Sequence, residues 1–183
     1  MRTSMEYIVP LGILVAFLAW IVATFSRLHH LHSMAHSAWA KWSAATQYRN
    51  ECVTDFTTIF SGYVPGEDLC TQDLRRLADD SRRSLDAHRS MPEREEAHRL
   101  GLAEKSMRRV VMNAVQTMED SQAMRSDAHL AELCTRVSLS LFQQDELTRS
   151  YNRSVGNFNL ALAAPGARLV AGMFGFTPLE EIR

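Results

Sequence analysis

Apolar and polar positions divide this chain into one uninterrupted apolar run followed by a series of helical stripes. The run is YIVPLGILVAFLAWIVATF, Tyr7 to Phe25, and no Asp, Glu, Lys or Arg falls between Glu6 and Arg27. At a helical rise of roughly 1.5 Å per residue it spans about 28 Å, close to the hydrocarbon thickness of a bilayer. Lipid offers the backbone no hydrogen-bond partners, so helix is the form such a segment takes. Pro10 falls in the first turn, where a missing N–H costs little, and Tyr7 and Trp20 are rings of the kind that settle near headgroups. A cleaved signal peptide is the alternative, but the run is long for one, only Arg2 precedes it opposite Glu6, and no A-x-A site follows. The run is read as a retained anchor.

Beyond the anchor the apolar spacing is three and four, and no stretch alternates as a half-buried strand would. The first helix is expected to continue to about Ser61, with Tyr48, Cys52, Phe56, Ile59 and Tyr63 as its stripe and Val64-Pro65-Gly66 as its stop. Glu67 and Asp68 favour a new N-terminus through the helix dipole. Leu74, Leu77 and Leu85, with Cys70 and His88, mark the inner face of the second helix, which Ser90-Met91-Pro92 closes. The third opens at Pro92-Glu93 and carries Leu100, Ala103, Met107, Val110, Ala114 and Met118. A break is expected within Asp120 to Asp127, with Ser126 or Asp127 capping the fourth helix. That helix reads Leu130, Cys134, Val137, Leu141, Tyr151, Val155, Phe158 and Leu162, holds register across Gln144 and Thr148, and stops at Ala164-Pro165-Gly166.

The predicted fold is all-α: a transmembrane helix continuing into an antiparallel four-helix, coiled-coil-like bundle. It parses as residues 1–26 for the N-terminal segment and span, 27–164 for the bundle and 165–183 for an apolar tail. Alternating helix direction returns that tail to the bilayer, where Leu169 to Phe176 either packs on the membrane-proximal end of the bundle or dips into the headgroup region. Packing is the preferred reading, because single apolar tails more often close a core.

Charge and candidate chemistry change this picture little. The formal net charge of −1 gives no broad field for nucleic acid, which is not an expected partner. Three irregularly spaced cysteines agree with a reducing compartment. Arg27 and Lys41 after the span outweigh Arg2 before it, which places the body on the cytoplasmic side. His29, His32 and His36 share one helical face, but no carboxylate or cysteine lies among them. They are read as a partly solvated patch rather than a metal centre, with a pH response as the other reading. Cys52 and Cys134 fall on apolar faces, and Glu67 and Asp68 oppose a thiolate at Cys70. Arg75-Arg76 and Arg82-Arg83 flank Asp79-Asp80 as a solvated, salt-bridged face that a partner helix or anionic lipid could use. There is no Gly-rich phosphate loop, zinc quartet or nucleophile elbow, so neither a catalytic residue nor a cofactor is expected.

Near the C-terminal end the chain carries Tyr151-Asn152, Phe158-Asn159, Pro165 and then Phe174-Gly175-Phe176. A repeated aromatic-Asn pair, a proline and an F-G-F ending resemble the C-terminal pattern of the LemA family. Ala38-Trp39 after the anchor resembles that family's early helix, and Arg49 falls near its usual basic pair. The chain departs from the pattern at Phe25-Ser26, where the family has Tyr-Asn, and at Asn50 to Phe56, where it has a D-L-I-P stretch. The resemblance implies a divergent bacterial member: a single-pass protein of the inner membrane, without catalysis, in which Tyr151, Asn152, Phe158 and Asn159 are structural. One branch of the family is associated with organelle membranes. The expected role is a membrane-associated scaffold or remodelling protein that self-associates, with the bilayer and a second copy as partners. The alternative is a monomeric accessory or sensor module that recruits another protein.

Overall fold

The apolar run and the first stripe form one unbroken helix. In the computed structural model, which describes residues 3–64, 68–87 and 91–183 (of 3–9, 86 and 87 the backbone alone), α1 covers Thr3–Phe60. Its 58 residues reach about 87 Å at the helical rise. Then follow α2 (Leu69–Ala87), α3 (Arg94–Asp120), the single turn α4 (Gln122–Arg125), α5 (Ala128–Ala163) and α6 (Pro165–Phe174). Among the described residues there is no strand, so the fold is all-α. Pro65, Gly66, Glu67, His88 and Ser90, the Tyr7 ring and the Arg2 and Glu6 side chains lie outside what is described.

Long helices joined by short links pack antiparallel. Against α1, α5 runs back from Asp127, hydrogen-bonded to Tyr63, through Gln144 beside Thr46 and Thr148 beside Trp42, to Phe158 beside His32. The core is three clusters along this axis. Phe56, Phe60, Met107, Val111, Leu130 and Val137 fill the far end. Trp39, Trp42, Tyr151 and Val155 fill the middle, and Leu28, Phe158, Val170 and Ala171 the end nearest the apolar run. Helix α3 packs chiefly on α2 and scarcely meets α5, which leaves a seam between α3 and α5.

Among the described residues six helices stand where four were expected, for two local reasons. In the break after Asp120, the Ser121 hydroxyl accepts from Met124 N–H and caps the extra turn α4. After Ala163, Pro165 starts α6 at a position where its missing N–H costs nothing. Asp127 caps α5 as expected, accepting from the His129 and Leu130 N–H groups. The Tyr63 hydroxyl donates to its other oxygen at 2.5 Å, and that bond, before the Leu130 N–H, holds the carboxyl below its usual range.

The stripe on α1 needs correcting. Cys52 and Phe56 are buried and Ile59 is half-buried, but Tyr48 and Tyr63 are exposed. The buried positions include Trp42, Thr46, Arg49, Val53, Thr57 and Phe60. Because α2 and α5 flank α1 on two sides, its inner surface is wide and includes polar residues that an apolar stripe passes over.

At the other end, Leu11, Ile13, Leu14, Val15, Phe17 and Leu18 stand exposed, and this stretch of α1 is long and apolar enough to cross a membrane.

Candidate functional site beside the apolar run

The motif residues from the C-terminal third divide between the middle of the bundle, where Tyr151 lies, and the end where α5, α6 and the apolar run meet, where Phe158 and Phe176 lie. The Tyr151 ring is buried, tilted against Trp39 at 5.7 Å, and its hydroxyl donates to the Glu180 carbonyl at 3.0 Å. Phe158, one heptad on, meets Phe176 and the half-buried His32. Ala38 is half-buried at the edge of the middle cluster. Pro165 opens α6, Phe174 lies 4.5 Å from Phe25, and Gly175 closes the helix in the left-handed region at φ 72°. Only that backbone conformation calls for glycine here. Its successor Phe176 turns back to donate its N–H to the Ala171 carbonyl.

The two asparagines hold a segment that no apolar pattern reveals. Asn159 donates to the Leu179 carbonyl at 2.7 Å and accepts from the Leu179 N–H at 2.9 Å. Asn152 does the same with Ile182, at 2.7 and 2.9 Å. Residues 177–183 thus lie along α5 in the seam beside α3. Arg94 of α3 reaches Glu180 at 3.2 Å. A methyl group at Gly101 would overlap the Arg183 carbonyl, so the absence of a side chain there makes the approach possible.

Toward the span, α6 lies against α1. Gly166 abuts the Trp20 indole, where a Cβ would overlap it, and Phe174 packs on Phe25. Between them Ala167, Val170 and Ala171 are buried, so one face of α6 packs on the bundle. The opposite face is uncovered: Leu169 and Met173, one turn apart, are 66% and 68% exposed, and Leu160 at the end of α5 is 80% exposed. Trp20 precedes Phe25 by five residues, so the start of α6 sits about 7.5 Å along the axis inside the apolar run.

A second polar layer crosses the middle of the bundle. The Trp42 indole N–H donates to Thr148 Oγ1 at 2.9 Å, and that hydroxyl donates to the Gln144 carbonyl. Gln144 Nε2 donates to Thr46 Oγ1 at 2.7 Å, whose own proton goes to the Trp42 carbonyl. This fixes the amide's orientation and leaves Gln144 Oε1 buried without a partner. Buried Arg49 pairs with Glu104 of α3. Beside this layer the seam holds a cavity of about 400 Å3 lined by Glu104, Lys105, Leu141, Gln144 and Asp145, among others.

The remaining candidates stay apart. His29 and His36 are exposed, while burial, then the charges of His36 and His29, keeps the His32 imidazole below its ordinary pKa. No three His, Cys, Asp or Glu side chains among the described residues converge to hold a metal. Burial pushes the Cys70 thiol up, with Asp68 and Asp73 adding to it, and burial also raises Cys134. Neither is a poised nucleophile.

Tyr151 gives the site a pH signature. Burial, then the Glu180 charge, pushes its phenol up to about 12 from 10.0. The folded state favours the neutral ring, so the stabilisation is fully present below the ordinary phenol pKa and is lost as pH rises through the folded value. Tyr151→Phe is expected to cost about 1 kcal/mol near neutral pH through the lost hydroxyl bond. Its stability deficit relative to wild type should shrink between about pH 10 and 12, measured by urea unfolding across that range. A deficit that stays constant through it would show that the hydroxyl is not held as described.

Fold and site together define an all-α bundle that grows directly out of a helix long and apolar enough to cross a membrane. No protein-family model, curated protein or solved structure matches the chain.

Proposed function

We propose that this chain is a LemA-like single-pass protein of the bacterial inner membrane, with a cytoplasmic body, that acts without catalysis as a self-associating scaffold or remodelling protein. The uncovered apolar face of α6 carries the reading. Leu169 and Met173 lie beside the apolar run, at the depth of Trp20 and Phe25, so the bundle rests on lipid rather than standing clear of it. A helix lying in one leaflet next to a span displaces headgroups asymmetrically, which is the physical requirement for bending a bilayer. The outer face of α5 exposes Leu139 and Phe142, large apolar residues suited to a second bundle.

The test is particle size of the full-length protein in mild detergent, followed by vesicle shape after reconstitution. Large regular particles and deformed vesicles are the expected results, and Leu169→Ser with Met173→Ser is expected to abolish the deformation. A single bundle per micelle that leaves vesicles round would reject the scaffold reading. It would favour the alternative of a monomeric accessory module, for which the peptide-like seating of residues 177–183 is the supporting observation.

A further inference from the structure

Seven residues of α-helix rise about 10.5 Å, and three residues of extended chain cover about 10 Å. This coincidence lets Asn152 and Asn159 grip positions 182 and 179 in register. Each amide engages both the N–H and the C=O of one residue, so the clamp reads main chain and is indifferent to side-chain identity. Side chains enter separately: Ile182 is buried against the middle cluster, Leu179 packs between the middle and proximal clusters, and Glu180 faces Arg94. Hydrogen bonds to the main chain, pockets for selected side chains and a flanking charge are how folded domains hold extended peptides, and here side-chain amides supply the first. The seam between α3 and α5 is a peptide groove, seated with the chain's own segment.

Ile182 and Arg183 also line the cavity beside Gln144, whose buried Oε1 has no partner. Asp145, also on its wall, continues the heptad register of Asn152 and Asn159. At the near end the segment hangs from Gly175, whose positive φ ends α6, and Thr177 and Pro178 are exposed.

We propose that this groove is an exchange site between copies: residues 176–183 of one chain, Phe176 included, seat against a second copy with 177–183 in its α3/α5 seam, and Gly175 is the hinge. The proposal rests on the self-association reading and supplies its contact. A second copy is the occupant because the groove already fits this sequence. Every bond lost in the parent chain is regained in the neighbour, so effective concentration and hinge strain alone set the balance. Anchors in one bilayer hold copies in the same orientation at high local concentration. Reciprocal exchange closes a dimer, whereas one-way exchange from copy to copy builds an open chain.

The test uses full-length protein in lipid vesicles. One tagged population carries the photo-crosslinking residue p-benzoylphenylalanine in place of Glu181, whose side chain lies near Gly156 of α5. It is co-reconstituted with wild type bearing a second tag, illuminated, and the products are mapped. The expected product joins the two tags and maps to α5 around Gly156. It should fall about thirtyfold when the accepting copy carries Asn152→Ala, which removes both hydrogen bonds to Ile182. Asn152→Asp, similar in size but lacking the donor, should act in the same direction. Products confined to one chain overturn the exchange. Light scattering on the same protein in detergent separates the two failures: large particles with internal products retain self-association by another surface, and single bundles with internal products discard both.

Discussion

Glu104→Gln is expected to destabilise the protein by about 3–5 kcal/mol, because it removes the counter-charge of a buried guanidinium. The Arg49 side chain is 1% exposed, and Glu104, on α3, is its ion-pair partner. The guanidinium also donates to Asn50 Oδ1 at 3.3 Å, while its Nε has no partner. A neutral amide at position 104 leaves the cation desolvated and uncompensated, which costs far more than a lost surface pair. For a chain of this size the loss corresponds to a fall in melting temperature of roughly 6–20 °C. Replacing both partners with apolar residues, Arg49→Met with Glu104→Leu, is expected to recover most of the loss, since burying the pair had its own desolvation penalty. Thermal and urea unfolding of the three proteins decide the matter. A single Glu104→Gln variant within about 1 kcal/mol of wild type would mean that water reaches the guanidinium.

The contrast between α5 and α1 shows what a sequence can reveal about such a bundle. On α5 every apolar position assigned inward, from Leu130 through Tyr151 and Phe158 to Leu162, is buried. The apolar stripe of this helix faces chiefly one long partner, α1, and a stripe is what periodicity detects. The Asp127 cap was equally legible, since a carboxylate before an apolar-periodic segment has a local job. On α1 the reading went astray at Tyr48 and Tyr63, because two neighbours bury a broad surface and part of it is Thr46, Arg49, Asn50 and Thr57. Those side chains are inside because they satisfy one another across helices, and no single-helix pattern encodes a partner on another element.

Residues 177–183 mark the other limit. Their attachment is chiefly main chain to Asn152 and Asn159, so their own side chains advertise little. The heptad spacing of the two asparagines was visible, together with their demand for partners, but the partner was a backbone thirty and twenty residues away. Open space opposite Gly101 was likewise invisible until Arg183 filled it. That α1 is long and apolar enough to cross a membrane needed no tertiary information, because that is a matter of length and composition alone.

Trp42→Ala is the core substitution with the largest expected effect, about 4–5 kcal/mol, at the upper end for loss of a buried aromatic ring. The ring is fully buried, stacks on Trp39 with centroids 5.0 Å apart, and anchors the middle cluster. It also joins that cluster to the polar layer, since its N–H reaches Thr148 and its carbonyl accepts from Thr46. Truncation opens a large void between α1 and α5 and removes the support of Trp39, which stacks on Trp42 and packs against Tyr151, whose hydroxyl holds Glu180. Loss of stability should therefore be accompanied by release of residues 177–183, seen as faster amide exchange at Leu179 and Ile182 than at Leu130 in the far cluster. Trp42→Phe separates the two contributions. It keeps most of the ring and loses the N–H, so it should cost about 1–2 kcal/mol and leave the segment seated. Uniformly faster exchange along α5 in Trp42→Ala would instead mean that the three clusters unfold as one unit, and that Trp42 has no special hold on residues 177–183.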